Sequence, residues 1–534
     1  MKGFFYFHFF IWTLCFLCTA ARGQDHHTRY NLLDVLAYTF EISLHDTSDL
    51  IQVRSAVEIR FKSAANGFYL DLKQRDSSGK GMVVNKIRWN GKQVPFQHRG
   101  DRLELTIQPA SPGEVRIYQI DYQGIPRDGL IISENKFGDR TFFGDNWPDR
   151  ASHWLTVVDH PSDKALVEFI VEAPGHYRIV SNGANICETR NAGRVLSVWK
   201  TAVPLPTKLM VIGVARFAVQ QLESPSGIPV SAWVFPQNRE EGFLDYSMAI
   251  QPLDFFESFI GPYPFSKLAN VQSRTIYGGM ENAGCIFYRE GSVTGKQDHE
   301  SLLAHEIAHQ WFGDAVTEMD WHHIWLSEGF ATYMTDLYLE HRFGRDSFIS
   351  SLKRERELVL RYSTRRSAPV VDTTLPVSVR LLNPNSYEKA AWVLHMLRRS
   401  LGDQLFRETL RAYYAKYSYG NALTEDFRHV VDSVSGKDYG PFFNQWLYQP
   451  GHPVISAPWS YAQGHIRIRV LQHQKGPCFA FPLDVQIVKG PENASTETLY
   501  IDTREQAFSI PCAGRPVEII LDPGSWLLFE HHGP

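Results

Sequence analysis

The chain has 534 residues, with 54 basic and 58 acidic side chains and a formal net charge of −4. This length predicts three or four domains, and a hydrophobic fraction of 43% is ordinary for globular domains with sizeable cores. The slightly acidic balance argues against nucleic acid as the main ligand, so we expect no nucleic-acid partner.

The first 23 residues have the pattern of a signal peptide. Lys2 supplies a positive charge, an apolar stretch runs from Phe4 to Cys18, and Thr19-Ala20-Ala21 offers small residues for cleavage. The apolar stretch is shorter than the roughly 20 residues that a membrane helix needs. We therefore expect an exported protein, periplasmic or secreted, with no stable membrane span once the signal is removed. An uncleaved N-terminal anchor is the alternative.

An antiparallel β domain is predicted for residues 24–235. Apolar and polar residues partly alternate in Val35–Leu44 and Val53–Phe61, as in half-buried strands. Asn90-Gly91 and Asn182-Gly183 are dipeptides typical of hairpin turns.

Helical patterns dominate residues 236–450, and we predict a second, mostly helical domain there. The predicted helices include Glu240–Phe259, Asp298–Phe312, Ser327–Arg342, Arg345–Leu360, Tyr387–Ser400, Gln404–Tyr417, Thr424–Ser435 and Gly440–Leu447. Strands are predicted at Leu268–Ile276 and Cys285–Tyr288. After Pro450-Gly451-His452-Pro453 the helical patterns stop, and residues 451–534 predict a small β-sandwich.

Two histidines and one glutamate form a metal-ligand pattern in the helical region. His305 and His309 are four residues apart, so on a helix they share one face. Glu328 lies in the next predicted helix, and two antiparallel helices with a short connection can bring it to the same point. Two histidines and one glutamate leave a fourth tetrahedral position open, which is typical of catalytic zinc. The sequence predicts one zinc ion per chain, with Glu306 placed to orient a metal-bound water.

Two further stretches carry polar groups that suit a peptide substrate. Gly278-Gly279-Met280-Glu281-Asn282 lies between two predicted strands, and its glycines let the backbone run close to an extended ligand. Glu281 adds a carboxylate that can hold a substrate cation. Tyr387 is predicted to begin a helix, and its phenol can donate a hydrogen bond to an oxyanion. Taken alone, the glycine stretch is more often an ordinary turn with an exposed acid, and an aromatic residue at a helix start is usually packing.

Taken in this order, the three motifs closely resemble those of the aminopeptidase N family of zinc metallopeptidases, the gluzincins that include leukotriene hydrolase. Trp311-Phe312-Gly313 and the junction Pro450-Gly451-His452-Pro453 match that family as well. The resemblance covers roughly residues 30 to 530. It implies a multidomain α+β protein with an N-terminal antiparallel β-saddle, a thermolysin-like catalytic domain and a C-terminal β-sandwich. Many members add a helical C-terminal domain, and we expect a short form without it.

The resemblance also implies a role for each motif residue. It makes His305, His309 and Glu328 the zinc ligands, Glu306 the general base and later proton shuttle, and Tyr387 the group that stabilises the tetrahedral intermediate. Glu281 would hold the free α-amino group of the substrate, and the backbone of the Gly278–Asn282 stretch would line the peptide. The expected partners are therefore peptides with a free amino terminus.

Some positions depart from the family pattern. Ser327 precedes the third ligand where Asn is common, so a weaker hydrogen bond behind the metal is expected. Asp314 stands where Asn often follows Trp-Phe-Gly, and Gly279 replaces a common Ala. Many members use a second acid or amide to bind the amine; Asp149, in Gly144–Arg150, is our candidate.

We expect a zinc-dependent aminopeptidase. An endopeptidase or epoxide hydrolase on the same scaffold is an alternative, although Glu281 argues against internal cleavage. A non-catalytic peptide-binding relative is another, although such a protein would be expected to have lost Glu306 or a ligand. Cys478 and Cys512 can pair in an oxidising compartment, or stay as thiols. The sequence leaves the oligomeric state and the preferred first residue open.

Overall fold

The structure, a computed structural model, describes residues 29–490 and 492–533. The predicted signal peptide therefore lies outside the described residues. The N-terminal part is built on strands whose apolar residues alternate into the core; in Leu33–His45, for example, Phe40, Ile42 and Leu44 are all buried. Its main sheet has nine strands. In spatial order the main path is Ala184–Asn191, Arg194–Lys200, Lys164–Pro174, Leu33–His45, Ser48–Phe61, Val115–Ile125, Gly81–Trp89 and Lys92–Gln93, with Leu205–Pro206 paired to Lys164–Pro174.

The pairing in this sheet is antiparallel except between Leu33–His45 and Lys164–Pro174, which run parallel. Two smaller sheets complete the N-terminal part. One contains Arg178–Ser181, Ile212–Ala215, Arg140–Gly144 and Leu130–Glu134; the other contains Ala65–Asp71, Arg102–Ala110 and Phe96–Arg99. The loop that follows Arg140–Gly144 reaches the candidate site.

A five-stranded sheet begins the middle part. Its order is Ala218–Glu223, Pro229–Val234, Leu268–Ser273, Cys285–Arg289 and Gly279–Met280. The first two of these strands precede residue 236, where the sequence placed a domain boundary; the proposed bounds stay predictions. Gly279–Met280 is the outermost strand, so one side of its backbone is left without a neighbouring strand.

Helices fill most of the remaining middle part. They are Arg239–Tyr246, Ile250–Phe259, Glu300–His309, Trp325–Phe343, Arg345–Ser363, Ala390–Leu401, Asp403–Tyr417, Thr424–Ser435 and Gly440–Phe443. The predicted Glu240–Phe259 helix is interrupted by a short 3₁₀ turn at Ser247–Ala249. Tyr387 lies in a π-helical turn, Asn385–Lys389, immediately before the helix that it was predicted to begin.

The C-terminal part is again made of strands. Trp459–Ala462, His465–Gln472, Val454–Ser456, Glu530–His531 and Glu505–Pro511 form one sheet, and Asn493–Ile501, Phe481–Gly490 and Glu518–Leu521 form another. The order of strands, helices and strands confirms the predicted α+β class. None of the helices in the described part is both long and apolar enough to cross a membrane. The four cysteines that the structure describes, Cys478 and Cys512 among them, are free thiols.

Candidate active site

The helix Glu300–His309, here called the motif helix, presents both histidines to one cavity. Leu303, Ala304 and Ile307 on this helix are buried in the core. The four-residue spacing brings the Nε2 atoms of His305 and His309 to 3.1 Å from each other. Two imidazole nitrogens that converge on one point in this way are better placed to bind a shared cation than to form a hydrogen bond with each other.

The helix Trp325–Phe343, here called the Glu328 helix, supplies the third group from its first turn. Glu328 Oε2 lies 3.5 Å from His305 Nε2 and 3.2 Å from His309 Nε2. The candidate ligand atoms of the three residues all lie within 4.8 Å of one another. In the described residues this is the one such cluster of three or more histidine, cysteine or acidic side chains. Two nitrogens and one carboxylate oxygen are a donor set that fits zinc with an open fourth position.

The orientation of His309 is set by groups behind it. Its Nδ1 lies 3.2 Å from the carbonyl oxygen of Phe312 and 3.2 Å from the Ser327 hydroxyl. An N–H on Nδ1 that donates to these oxygens fixes the ring so that Nε2 faces His305 and Glu328. The shorter Ser327 side chain thus still reaches His309.

Glu306 faces the same cavity from the motif helix and is only 5% exposed. Burial, together with the negative charges of Glu281 and Glu328, raises the pKa of its carboxyl to about 8, although the nearby His309 acts in the opposite direction. A divalent cation beside it would lower that pKa. A Cβ atom on Gly279 would lie 2.2 Å from Glu306 Oε1, so the glycine leaves the space that this carboxylate occupies.

Glu281 follows the edge strand Gly279–Met280 and is 5% exposed. Met280 pairs with Phe287 and Gly279 with Tyr288, on the side away from the open edge. An extended peptide can therefore add to the open edge while a terminal amine meets Glu281. Asn282 is fully buried and is absent from the residues that line the cavity in the described part of the chain. Its role in substrate binding stays a prediction.

Tyr387 closes another side of the site. Its ring stacks on the His305 imidazole with centroids 6.1 Å apart and an interplanar angle of 13°. Burial, followed by the charges of Glu328, Glu281 and Glu306, raises the pKa of the phenol well above its usual value. The hydroxyl therefore stays protonated and can donate a hydrogen bond.

These groups surround a cavity of about 260 Å³. It is lined by Trp147, Tyr277, Gly278, Gly279, Met280, Glu281, Leu302, His305, Glu306, His309, Glu328, Leu382 and Tyr387. The sequence analysis did not single out Trp147, Tyr277, Leu302 or Leu382. The only sequence feature that these four residues share is apolar character, and this does not distinguish them from ordinary core residues.

Trp147 belongs to the Gly144–Arg150 stretch in which Asp149 was our candidate for a second amine contact. The Trp147 ring packs edge-on against Tyr277, with centroids 6.1 Å apart, and against Trp321 at 5.8 Å. Asp149 does not line the cavity in the described part of the chain, and Lys73, Arg150 and Asp71 are among the charged groups that act on it. The stretch thus contributes an aromatic wall.

Comparisons with known proteins find a family match and several relatives. Residues 245–446 match the Peptidase family M1 domain. The chain is 26% identical over 399 residues to a leucyl aminopeptidase of Saccharolobus solfataricus, covering 70% of this chain and 49% of that protein. It is 31% identical over 313 residues to aminopeptidase M1-C of Oryza sativa subsp. japonica, covering 56% of this chain and 36% of that protein. The chain thus spans half or less of the length of these curated relatives.

A solved structure has the same fold. The crystal structure of a mutant M1 zinc metallopeptidase from Deinococcus radiodurans superposes with a TM-score of 0.68 at 22% sequence identity. The match covers 79% of this chain and 96% of that chain. At this identity the likeness establishes the fold alone.

Proposed function

We propose that this chain, which belongs to the aminopeptidase N family of zinc metallopeptidases (peptidase family M1), is an aminopeptidase that removes the first residue of peptides with a free amino terminus. One observation carries the proposal. The Glu281 carboxylate shares a cavity with the His305, His309 and Glu328 cluster and with Glu306. A peptide whose amine meets Glu281 can place its first peptide bond at that cluster.

His305, His309 and Glu328 would hold one zinc ion per chain. When bound, zinc would act as a Lewis acid that polarises the scissile carbonyl and lowers the pKa of water in the site. Glu328 and both histidines are buried or nearly so, which suits ligands that must stay ordered around an ion.

The residues of this chain would carry the proton transfers. Glu306 accepts a proton from the attacking water as the water oxygen bonds to the carbonyl carbon. It then delivers this proton to the leaving nitrogen as the C–N bond breaks. Tyr387 donates a hydrogen bond to the oxyanion of the tetrahedral intermediate.

Substrate binding would be divided between charge and apolar contact. The Glu281 carboxylate would bind the substrate ammonium by a charge-assisted hydrogen bond. The open edge of Gly279–Met280 would pair with the peptide backbone. Trp147, Tyr277 and Leu382 offer an apolar wall for substrate side chains. We further propose that the protein is exported, on the strength of the leader-like pattern in residues 1–23.

The proposal is tested with a panel of fluorogenic aminoacyl substrates, assayed alongside metal analysis of the same preparation. We expect about one zinc per chain, loss of hydrolysis on chelation and its return with added zinc. Glu328→Ala should lose most of the metal. A fully active preparation without zinc would contradict the assignment, as would a zinc-loaded protein that cleaves none of the free-amine substrates.

A further inference from the structure

Gln310, the residue after His309, is fully buried and uses both ends of its side-chain amide. Its Nε2 donates to the carbonyl oxygen of Glu281 at 2.8 Å and to Asp314 Oδ2 at 2.9 Å. Its Oε1 accepts from the backbone N–H of Gly284 at 2.8 Å and lies 3.2 Å from the Tyr263 hydroxyl. The orientation of the amide is thereby fixed, because a carbonyl needs a donor and an N–H needs an acceptor.

Two of these bonds hold the two ends of one turn. Glu281 and Gly284 bound the turn that connects the edge strand Gly279–Met280 to the strand Cys285–Arg289. A single amide therefore fastens the turn that carries the amine-binding carboxylate to the end of the motif helix. The connection is short, because Gln310 is the immediate neighbour of the metal-cluster residue His309.

Within the proposed function, this connection sets the distance between Glu281 and the metal cluster. If Glu281 binds the substrate ammonium, its separation from the His305, His309 and Glu328 cluster decides which peptide bond is presented for cleavage. Successive Cα atoms of a peptide are about 3.8 Å apart, so a shift smaller than one residue already misplaces the carbonyl. A misplacement of about 1 Å can cost on the order of a hundredfold in kcat/KM, and a looser Glu281 turn also weakens binding of the ammonium.

We propose that Gln310 is a positioning residue that fixes the Glu281 turn relative to the hydrolytic centre and so confines cleavage to the first peptide bond. This inference rests on the proposed aminopeptidase function. In the described part of the chain, Gln310 neither lines the cavity nor belongs to the metal cluster. It acts through the backbone of Glu281 and Gly284.

The test is Gln310→Met, which keeps the side-chain length and removes both amide donors and the amide acceptor. We expect zinc content to stay at about one per chain, KM for free-amine peptides to rise about 10- to 100-fold, and kcat to fall less. A mass-spectrometric time course should show some release of dipeptides from the amino terminus, which a change in stability alone would not produce.

Gln472→Met is a matched control. Gln472 is also buried and also holds backbone groups at both ends of its amide, donating to the carbonyl oxygens of Phe479 and Thr503 and accepting from the N–H of Phe479. It lies in the C-terminal sheets, away from the cavity. We expect this variant to lose stability while keeping the wild-type KM and single-residue products.

Gln310→Asn provides a second variant if the first does not fold. It keeps the amide but is one methylene shorter, so it cannot reach both Glu281 and Gly284, and a rise in KM in the same direction is expected. A folded, zinc-loaded Gln310 variant with wild-type KM and products would overturn the inference. If the wild-type protein itself releases no single residues, the proposed function fails instead, and the two failures are therefore distinguishable.

Discussion

Three glutamates line one cavity, and their surroundings differ. Glu328 lies between two imidazoles, and although burial acts the other way, the charge of His309 and the hydrogen bonds of both histidines hold the pKa of Glu328 well below its usual value. For Glu306, burial outweighs the opposing charge of His309 and raises the pKa of the carboxyl to about 8. Glu281 follows an open strand edge. These environments support the proposed division into metal ligand, general base and amine anchor.

Glu306→Gln tests the assignment of Glu306 as the general base. The amide has the same shape and cannot accept the proton from water, and Glu306 is not placed as a ligand. We therefore expect normal zinc content and a loss of roughly two to four orders of magnitude in kcat, the usual range for general acid–base groups. Steady-state kinetics and metal analysis on one preparation decide it. Near-normal turnover would assign the base to another residue.

At the scale of elements, close packing of two helices brings Glu328 and Tyr387 to the same site. Gly329, next to Glu328, lies where the Glu328 helix meets the start of the helix Ala390–Leu401. A Cβ atom on Gly329 would come within 2.4 Å of the Ala390 Cβ and 3.3 Å of the Ala390 carbonyl carbon. The π-helical turn that holds Tyr387 directly precedes Ala390, so this contact links the positions of Glu328 and Tyr387.

Gly329→Ala should therefore destabilise the protein despite the better helix propensity of alanine. Overpacking in a filled core costs about 1–3 kcal/mol, and zinc affinity should fall as Glu328 is displaced. Gly291→Ala is the matched control, because a Cβ there would meet no atom within 4 Å. Chemical denaturation gives the free energies of unfolding. Equal values for both variants would show that the contact at Gly329 does not constrain the helices.

The sequence could predict the metal cluster because its spacing is local or spans a single connection between two consecutive helices, residues 310–324. His305 and His309 are fixed by helix geometry, and Glu328 needs only one helix hairpin. Trp147 could not be found in this way, since it comes from a loop about 160 residues earlier and reaches the cavity only through the packing of the N-terminal part. The interruption of the Glu240–Phe259 helix and the π-helical turn at Tyr387 were missed for a related reason, because tertiary packing overrides local helical periodicity.

At the scale of the whole molecule, buried lysines connect the parts around the site. Lys208 Nζ, in the N-terminal part, lies 2.6 Å from Glu318 Oε1, and both side chains are almost inaccessible. Lys164 donates to the carbonyl oxygens of Asp314 and Ala315 at 3.1 and 3.0 Å. Lys389 donates to Gly451 O at the start of the C-terminal part. These contacts join both the N-terminal part and the C-terminal part to the middle part that carries the metal cluster.

The N-terminal part also contains a buried acid that should make stability depend on pH. Burial is the main cause that raises the pKa of Asp163 from 3.8 to about 7. In the unfolded chain this carboxyl ionises near pH 4, so between pH 4 and 7 the folded state binds more protons and stability falls as pH rises. Asp163→Asn removes this dependence. We expect the variant to be more stable than the wild type at pH 8, by on the order of a few kcal/mol, and nearly equal at pH 4. Denaturant titrations at pH 4 and pH 8 measure the free energies of unfolding of the two proteins. The same difference between variant and wild type at both pH values would exclude Asp163 as the source of the pH dependence.

In the proposed function, Glu281 is the residue that turns a zinc hydrolase into an aminopeptidase. A charge-assisted hydrogen bond between carboxylate and ammonium contributes about 1.5–3 kcal/mol, which corresponds to one to two orders of magnitude in kcat/KM. Acetylation of the substrate amino terminus removes this charge and adds bulk at Glu281. Glu281→Ala should therefore weaken cleavage of the free-amine form and reduce the difference between the two forms.

The most direct measurement is a mass-spectrometric time course on one peptide in its free and N-acetylated forms, with the wild-type protein. We predict that the free peptide is shortened one residue at a time and that the acetylated peptide stays intact. Equal cleavage of both forms at internal bonds would contradict the aminopeptidase assignment and leave only a zinc hydrolase.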